Sequence, residues 1–376
     1  MKETILGFLR EYGDITFDEM GLSEADSLIL CQLAYLKFDG MVPGFMEDKE
    51  GVTLYDLSVS PARERLFSDE RHAVDNRELF GLLAGGKRYS NLRLNYYVNM
   101  IEKKEESQFS AITYMTENGI YYIAFRGTDE TIVGWKEDFN MAFISPVPGQ
   151  YYSARYINEA AKRFDGRFYV GGHSKGGNLA VYAAMNCNRA VQDRIIRIYD
   201  MDGPGFRPAV LEKDGYGEVE ERVSKFIPHS SLVGILLEWN MHFEVVASKN
   251  FGLLQHDPYS WLFDGTRLVR VDDIYEKRRM MGNALNEWIL SLDEKQLRTF
   301  TETLFAVIGA SEAEDINELT LEWKKSIYMS IAVMREIDEE TRDILKEMFK
   351  SLLEIVGEHV KQEVADGLKQ IRRKKS

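Results

Sequence analysis

Apolar residues recur at helical spacing through Leu28, Cys31, Leu33, Ala34 and Leu36, behind a Ser23–Asp26 capping-box pattern, and this predicts a helix that opens at Ser23. The span after Gly40 is charge-rich and less regular, with turn residues from Val42 to Gly51 and again at Gly85 and Gly86. From about residue 108 the period changes. In FSAITYMTENGIYYIAFRGT, two apolar, β-branched and aromatic runs flank Glu117, Asn118 and Gly119, and Asn-Gly between such runs signals a hairpin.

Helix and strand then alternate: a helix over 152–164, a strand Arg167–Val170, a helix from about Gly176 to Asn186, a strand Ile195–Tyr199, and short apolar runs at Val223–Ile227 and Phe243–Ala247. This order predicts a mostly parallel sheet with helices on both faces. Beyond about Val271 strand signals stop. In the last segment Ile344, Met348, Leu352, Val356, Val360, Val364 and Leu368 fall four apart and form one apolar stripe, which suits packing within the chain or a homo-oligomer made through the C-terminal helices. The expected organisation is an N-terminal helical and irregular region packed on the core (1–105), an α/β core (106–270) and a C-terminal all-helical extension (271–376).

Composition narrows the partners. The chain of 376 residues is 44% hydrophobic, enough for a sizeable core, and its net charge of −14 argues against nucleic acid as a partner, because phosphate-backbone binding needs clustered Lys and Arg. No stretch approaches 18 uninterrupted apolar residues, and MKETILGFLREYGD lacks the apolar region of a signal peptide, so no integral membrane segment and a cytoplasmic location are expected. Cys31 and Cys187 have no metal-type spacing and read as buried thiols. No metal or organic cofactor is implied.

The candidate chemistry sits in RFYVGGHSKGGNLAVYAAM, where Gly172-His173-Ser174-Lys175-Gly176 fits GxSxG between a strand and a helix. A turn this tight strains the serine backbone, projects the Ser174 hydroxyl above the sheet edge and aims the Lys175 N–H at the place where an oxyanion would form. The GxxxxGK[ST] spacing of a phosphate-binding loop is absent. A serine needs a base, and six histidines are available. His173 should turn away from Ser174, and His72 and His359 lie outside the strand-rich region. In α/β-hydrolases the chain order is serine, acid, histidine, with the histidine after the last core strand. Of His229, His242 and His256, the second falls at the start of a strand, at the wrong end of a parallel sheet. His256 follows that strand among turn residues and is the preferred base. For the acid, the loop after Val223–Ile227 holds Pro228, His229, Ser230 and Ser231 and no carboxylate. The preceding strand end offers Asp200 and Asp202, which share a side if the strand runs through both; Asp202 is preferred because Gly203 and Pro204 follow it.

These residues carry a resemblance. Phe125-Arg126-Gly127-Thr128 followed by Gly134-Trp135 and Asp138 resembles the FRGT and Trp-x-x-Asp signature of class 3 lipases, and GHSKGGNLAVYAA resembles their nucleophile segment. Together with ADSLILCQLAYLKFDGMVP, DGPGF, SLVGILL and QHDPYSW, the pattern is similar to a bacterial branch of lipase-like hydrolases of unknown function, over most of residues 20–265. The resemblance implies an α/β-hydrolase fold and a second oxyanion donor at Thr128. It also implies an acid in the loop that matches Pro228–Ser231, where this chain has none. The expected protein is a serine esterase or lipase-like hydrolase acting on a small-molecule acyl ester or lipid-like substrate, with Ser174, His256 and Asp202 as triad and Lys175 and Thr128 at the oxyanion. The alternative is a hydrolase-fold binding or scaffold protein whose site has decayed and whose C-terminal helices mediate association.

Overall fold

A computed structural model describes residues 2–68, 72–102, 107–128, 145–213, 215–231, 233–238 and 241–272, with scattered positions between 137 and 290. The apolar stripe over 344–368 and the expected C-terminal helices lie outside the described residues.

Among the described residues, eight strands form one sheet in which sequence neighbours are spatial neighbours: β1 (Val52–Thr53), β2 (Arg93–Glu102), β3 (Ser107–Met115), β4 (Tyr121–Phe125), β5 (Phe168–His173), β6 (Ile195–Met201), β7 (Val223–Pro228) and β8 (Phe243–Val246). The β1–β4 pairings are antiparallel and the β4–β8 pairings parallel. The Asn-Gly signal is a hairpin joining β3 to β4, with Gly119 at φ +77. Two strands come from the segment whose pattern is irregular. β2 pairs with β3 along most of its length, and a register shift between Asn95 and Val98, with Tyr96 at φ +60, breaks the alternation that would announce it.

Period-two alternation sorts the central strands onto two cores. Ile123, Phe125, Phe168 and Val170 join one apolar cluster with Ile157 and Ala160 of α5 (Pro148–Arg163) and Leu179 and Ala183 of α6 (Lys175–Asn186). Tyr122, Ala124, Tyr199 and Met201 join the other. That second face is closed by the N-terminal helices α1 (Ile5–Tyr12), α2 (Glu24–Leu33), α3 (Leu54–Val59) and α4 (Ala73–Gly85), through Phe8, Leu28, Cys31, Leu57 and Leu83. The reason is topological. Parallel strands added in chain order with right-handed crossovers place their connecting helices on one face, so the opposite face must be covered from elsewhere. Here the N-terminal region covers it.

The Ser23 capping box of α2 is formed, and its acidic partner does more than cap the helix. Asp26 Oδ2 accepts from Ser23 N at 2.7 Å and from Arg88 Nη2 at 2.8 Å, while Oδ1 accepts from Arg88 Nε at 2.7 Å and from the Tyr89 hydroxyl. Arg88 spends its other N–H groups on the carbonyls of Ile15, Thr16, Met20 and Gly21. Both charged side chains are fully buried. Cys31 and Cys187 are buried free thiols, and burial pushes each up to about 12, so neither is a thiolate near neutral pH.

Removing one partner of a buried, fully bonded ion pair strands the other charge. Asp26→Asn is therefore expected to lower unfolding stability by about 3–5 kcal/mol, read as a shift in the urea midpoint. A change within about 0.5 kcal/mol would mean that the pair does not anchor the N-terminal layer.

Candidate active site

The sharp turn at residue 174 rests on contacts between backbones. Ser174 has φ +58 and ψ −134, a conformation that costs a non-glycine residue about 1–3 kcal/mol. The glycines on either side let it exist. A Cβ on Gly172 would fall 2.1 Å from the Gly176 carbonyl carbon, and one on Gly176 would fall 2.1 Å from the Phe125 oxygen. The first turn of α6 therefore lies directly on the ends of β4 and β5, and Ser174 N donates to Met201 O of β6 at 2.9 Å. Ser174 is half-buried, and Lys175 opens α6.

The FRGT segment meets the elbow from β4. A Cβ on Gly127 would fall 2.6 Å from His173 O and 3.0 Å from Ser174 Cβ, so the chain leading into Thr128 runs against the serine. Thr128 is buried. The Lys175 side chain is also buried: its Nζ lies 2.9 Å from Glu137 Oε2 and 3.0 Å from Gln108 O, and Glu137 accepts from Gly149 N and Gln108 N. Gly134, Trp135 and Asp138 lie outside the described residues.

His256 ends a short 3₁₀ turn (Gly252–His256) after β8, where chain order predicts a base. Its Nδ1 lies 2.6 Å from Asp202 Oδ2; Asp202 is sealed in the interior, while the His256 side chain is 28% exposed. The His256 ring also packs on His173, the residue before Ser174, with centroids 4.5 Å apart. Among the described residues, no hydrogen bond joins Ser174 Oγ to His256 Nε2.

Asp200 and Asp202 do not share a side. The strand ends at Met201, and Asp202 at φ +58 turns the chain. Asp200 instead accepts from Lys225 Nζ at 2.9 Å and from Gly203 N at 2.8 Å, and burial pushes its carboxyl up to about 6 against the pull of the Lys225 ammonium. The segment Pro228–Ser231 at the end of β7, which lacks a carboxylate, supplies a donor to the carboxylate just past β6: Ser231 Oγ lies 2.5 Å from Asp202 Oδ1. The loop after Asp202 is also tied to α6, because Asn178 Nδ2 donates to Pro204 O at 3.1 Å and Gly205 O at 2.9 Å. Spacing does not single out Ser231 or Asn178. Their signal is the pair of motifs, SLVGILL and GHSKGGNLA, that carries them.

The remaining described histidines take other positions. His242 is exposed at the start of β8. His229 Nε2 faces the Gln255 amide nitrogen at 3.1 Å, and burial lowers its pKa. His72 lies tilted against the Tyr259 ring and approaches Asp257 at 4.0 Å.

A mostly parallel sheet covered by helices, with a strained serine between a central strand and the helix that follows it, is the architecture of an α/β-hydrolase-like protein. The chain belongs to the Mbeg1-like family, which it matches over residues 83–306. No curated protein matches it. Solved structures similar to it include the native Rhizomucor miehei lipase propeptide complex, at 16% identity and TM-score 0.31 over 41% of this chain and 57% of that chain. M37 lipase (15%, TM-score 0.34) is matched over 57% and 69%, and a triacylglycerol lipase from Penicillium expansum (12%, TM-score 0.33) over 50% and 76%. The chain thus spans little more than half the length of the Rhizomucor protein.

Gly127→Ala places a methyl group into His173 O and against Ser174 Cβ, where backbone must move. The expected result is a loss of about 1–3 kcal/mol, measured as a fall in thermal midpoint. An unchanged midpoint would show that the strand end and the elbow are not in contact.

Proposed function

We propose that the protein is a serine hydrolase that cleaves a carboxylic ester or thioester through a Ser174 acyl-enzyme, on a small-molecule substrate with an acyl or lipid-like portion. One observation carries the reading: the buried Asp202 carboxylate lies 2.6 Å from Nδ1 of an imidazole that packs beside the strained serine elbow.

In this mechanism Asp202 accepts from His256 Nδ1–H, which leaves Nε2 unprotonated and able to take the Ser174 proton as the hydroxyl oxygen attacks the acyl carbonyl. The carbonyl π electrons move to oxygen. The N–H of Lys175, at the start of a helix of 12 residues, and that of Thr128 stabilise the oxyanion. Collapse of the tetrahedral intermediate expels the alcohol or thiol, which takes the proton from His256. Water then repeats the sequence on the acyl-enzyme, with His256 again as base, releasing the acid and restoring Ser174. The Ser231 hydrogen bond to the far oxygen of Asp202 keeps the carboxylate turned toward His256. The scaffold alternative rests on the missing carboxylate after β7, and Asp202 in contact with His256 favours the hydrolase reading over it.

The test is covalent labelling by a fluorophosphonate together with hydrolysis of p-nitrophenyl esters of graded acyl length. Wild-type protein is expected to label and turn over. Ser174→Ala should take no label, and His256→Ala and Asp202→Asn should each lose about 10³–10⁴-fold in kcat. Equal labelling of wild type and Ser174→Ala, or none in either, would remove the hydrolase reading.

A further inference from the structure

His173 adjoins the candidate nucleophile in the chain, yet its ring is engaged elsewhere. Nε2 lies 2.8 Å from the main-chain oxygen of His256, and Nδ1 lies 3.2 Å from the Tyr35 hydroxyl. A carbonyl oxygen can only accept, so Nε2 carries the proton; in the neutral ring Nδ1 is then the acceptor and the Tyr35 hydroxyl donates to it. The ring also lies on the His256 ring at 37° and meets Trp261 edge-on with centroids 6.4 Å apart. His173 is 4% exposed, so water does not compete freely for these contacts.

We propose that His173 is a positioning residue for the candidate base: its Nε2–H holds the His256 carbonyl while its ring backs the His256 imidazole. The proposal rests on the hydrolase reading above. The other anchors of the His256 loop reach different points: Trp261 Nε1 donates to Gln255 O at 2.8 Å, Gln255 Oε1 accepts from Ser230 N at 2.8 Å, and Asp202 takes the Nδ1 end of the ring. His173 ties the main chain of residue 256 to the elbow itself. The separation of hydroxyl and imidazole is then set through the side chain of the residue before Ser174.

Tyr35 keeps this link in register. Its hydroxyl also lies 3.4 Å from His173 O, and it stands 2.2 Å from where a Cβ on Gly127 would fall. One phenol from the N-terminal region thus touches the ring that holds the base, the backbone before the nucleophile and the strand end that leads to Thr128.

The experiment follows the rate of fluorophosphonate labelling against probe concentration in the full-length protein. His173→Phe keeps a ring and loses the donor. It is expected to lower the maximal labelling rate about 10- to 100-fold with little change in the half-saturating concentration. His173→Gln, whose amide N–H reaches the same carbonyl, should recover most of that loss, and Tyr35→Phe should lower the rate about 3- to 10-fold. A wild-type maximal rate in His173→Phe, or equal losses in the Phe and Gln variants at matched thermal midpoints, overturns the positioning role. If His173→Phe does not fold, Tyr35→Phe decides, and a wild-type rate there overturns it. Histidine ¹⁵N spectra read the contact without activity: His173 should show the Nε2–H tautomer, and Nδ1–H would overturn the proposal. A wild-type protein that shows Nε2–H at His173 but takes no label sinks the hydrolase reading while sustaining the contact.

Discussion

The structure around the candidate site depends on one steric constraint, the near contact of three main-chain segments at the end of β5. Gly172 touches Gly176, Gly176 touches the oxygen of Phe125, and Gly127 abuts His173 and Ser174. No Cβ fits between them. That packing holds Ser174 at a positive φ which the residue would not adopt alone, and it brings the FRGT strand end and the first N–H groups of α6 to one point. A strained residue persists only where its surroundings over-determine it, and here three strands and a helix do so.

Around that point the molecule spends its buried polar groups on holding loops in place. Asn178 of α6 holds the carbonyls of the loop after Asp202, Lys225 bonds Gly203 O at 2.6 Å in addition to Asp200, and Ser231 bonds Asp202. On the His256 side, Gln255 accepts from Ser230 N and Trp261 donates to Gln255 O. Each of these groups would be costly to bury without a partner, so together they disfavour loop conformations that would leave one exposed to the apolar interior. The N-terminal region reaches this site through Tyr35, whose hydroxyl lies 3.2 Å from His173 Nδ1.

Part of the candidate site's geometry was legible along the chain, for reasons that can be named. GxSxG between a strand and a helix needs only local geometry, and the position of His256 after the last parallel strand follows from which end of such a sheet collects ligands. The Ser23 capping box and the Asn-Gly hairpin are likewise local. Strand β2 was not legible, because its register shift near Asn95 interrupts the alternation on which such a reading relies, and the helix Ala73–Gly85 sits within a span punctuated by charge and glycine. The parting of Asp200 and Asp202 was hidden for a similar reason: a single left-handed residue at 202 cancels a period-two argument.

By itself, then, the sequence determined the elements that rest on short-range physics: the elbow, the alternating strands and helices of the core, and the pool of carboxylates and imidazoles from which a site could be drawn. Only the tertiary structure decided which of them meet. Asp202 reaches His256 across 54 positions of chain, and His173 reaches its carbonyl across 83. Contacts at such separations depend on strand order, loop path and the sign of one backbone dihedral, and none of these leaves a periodic trace in the residues themselves.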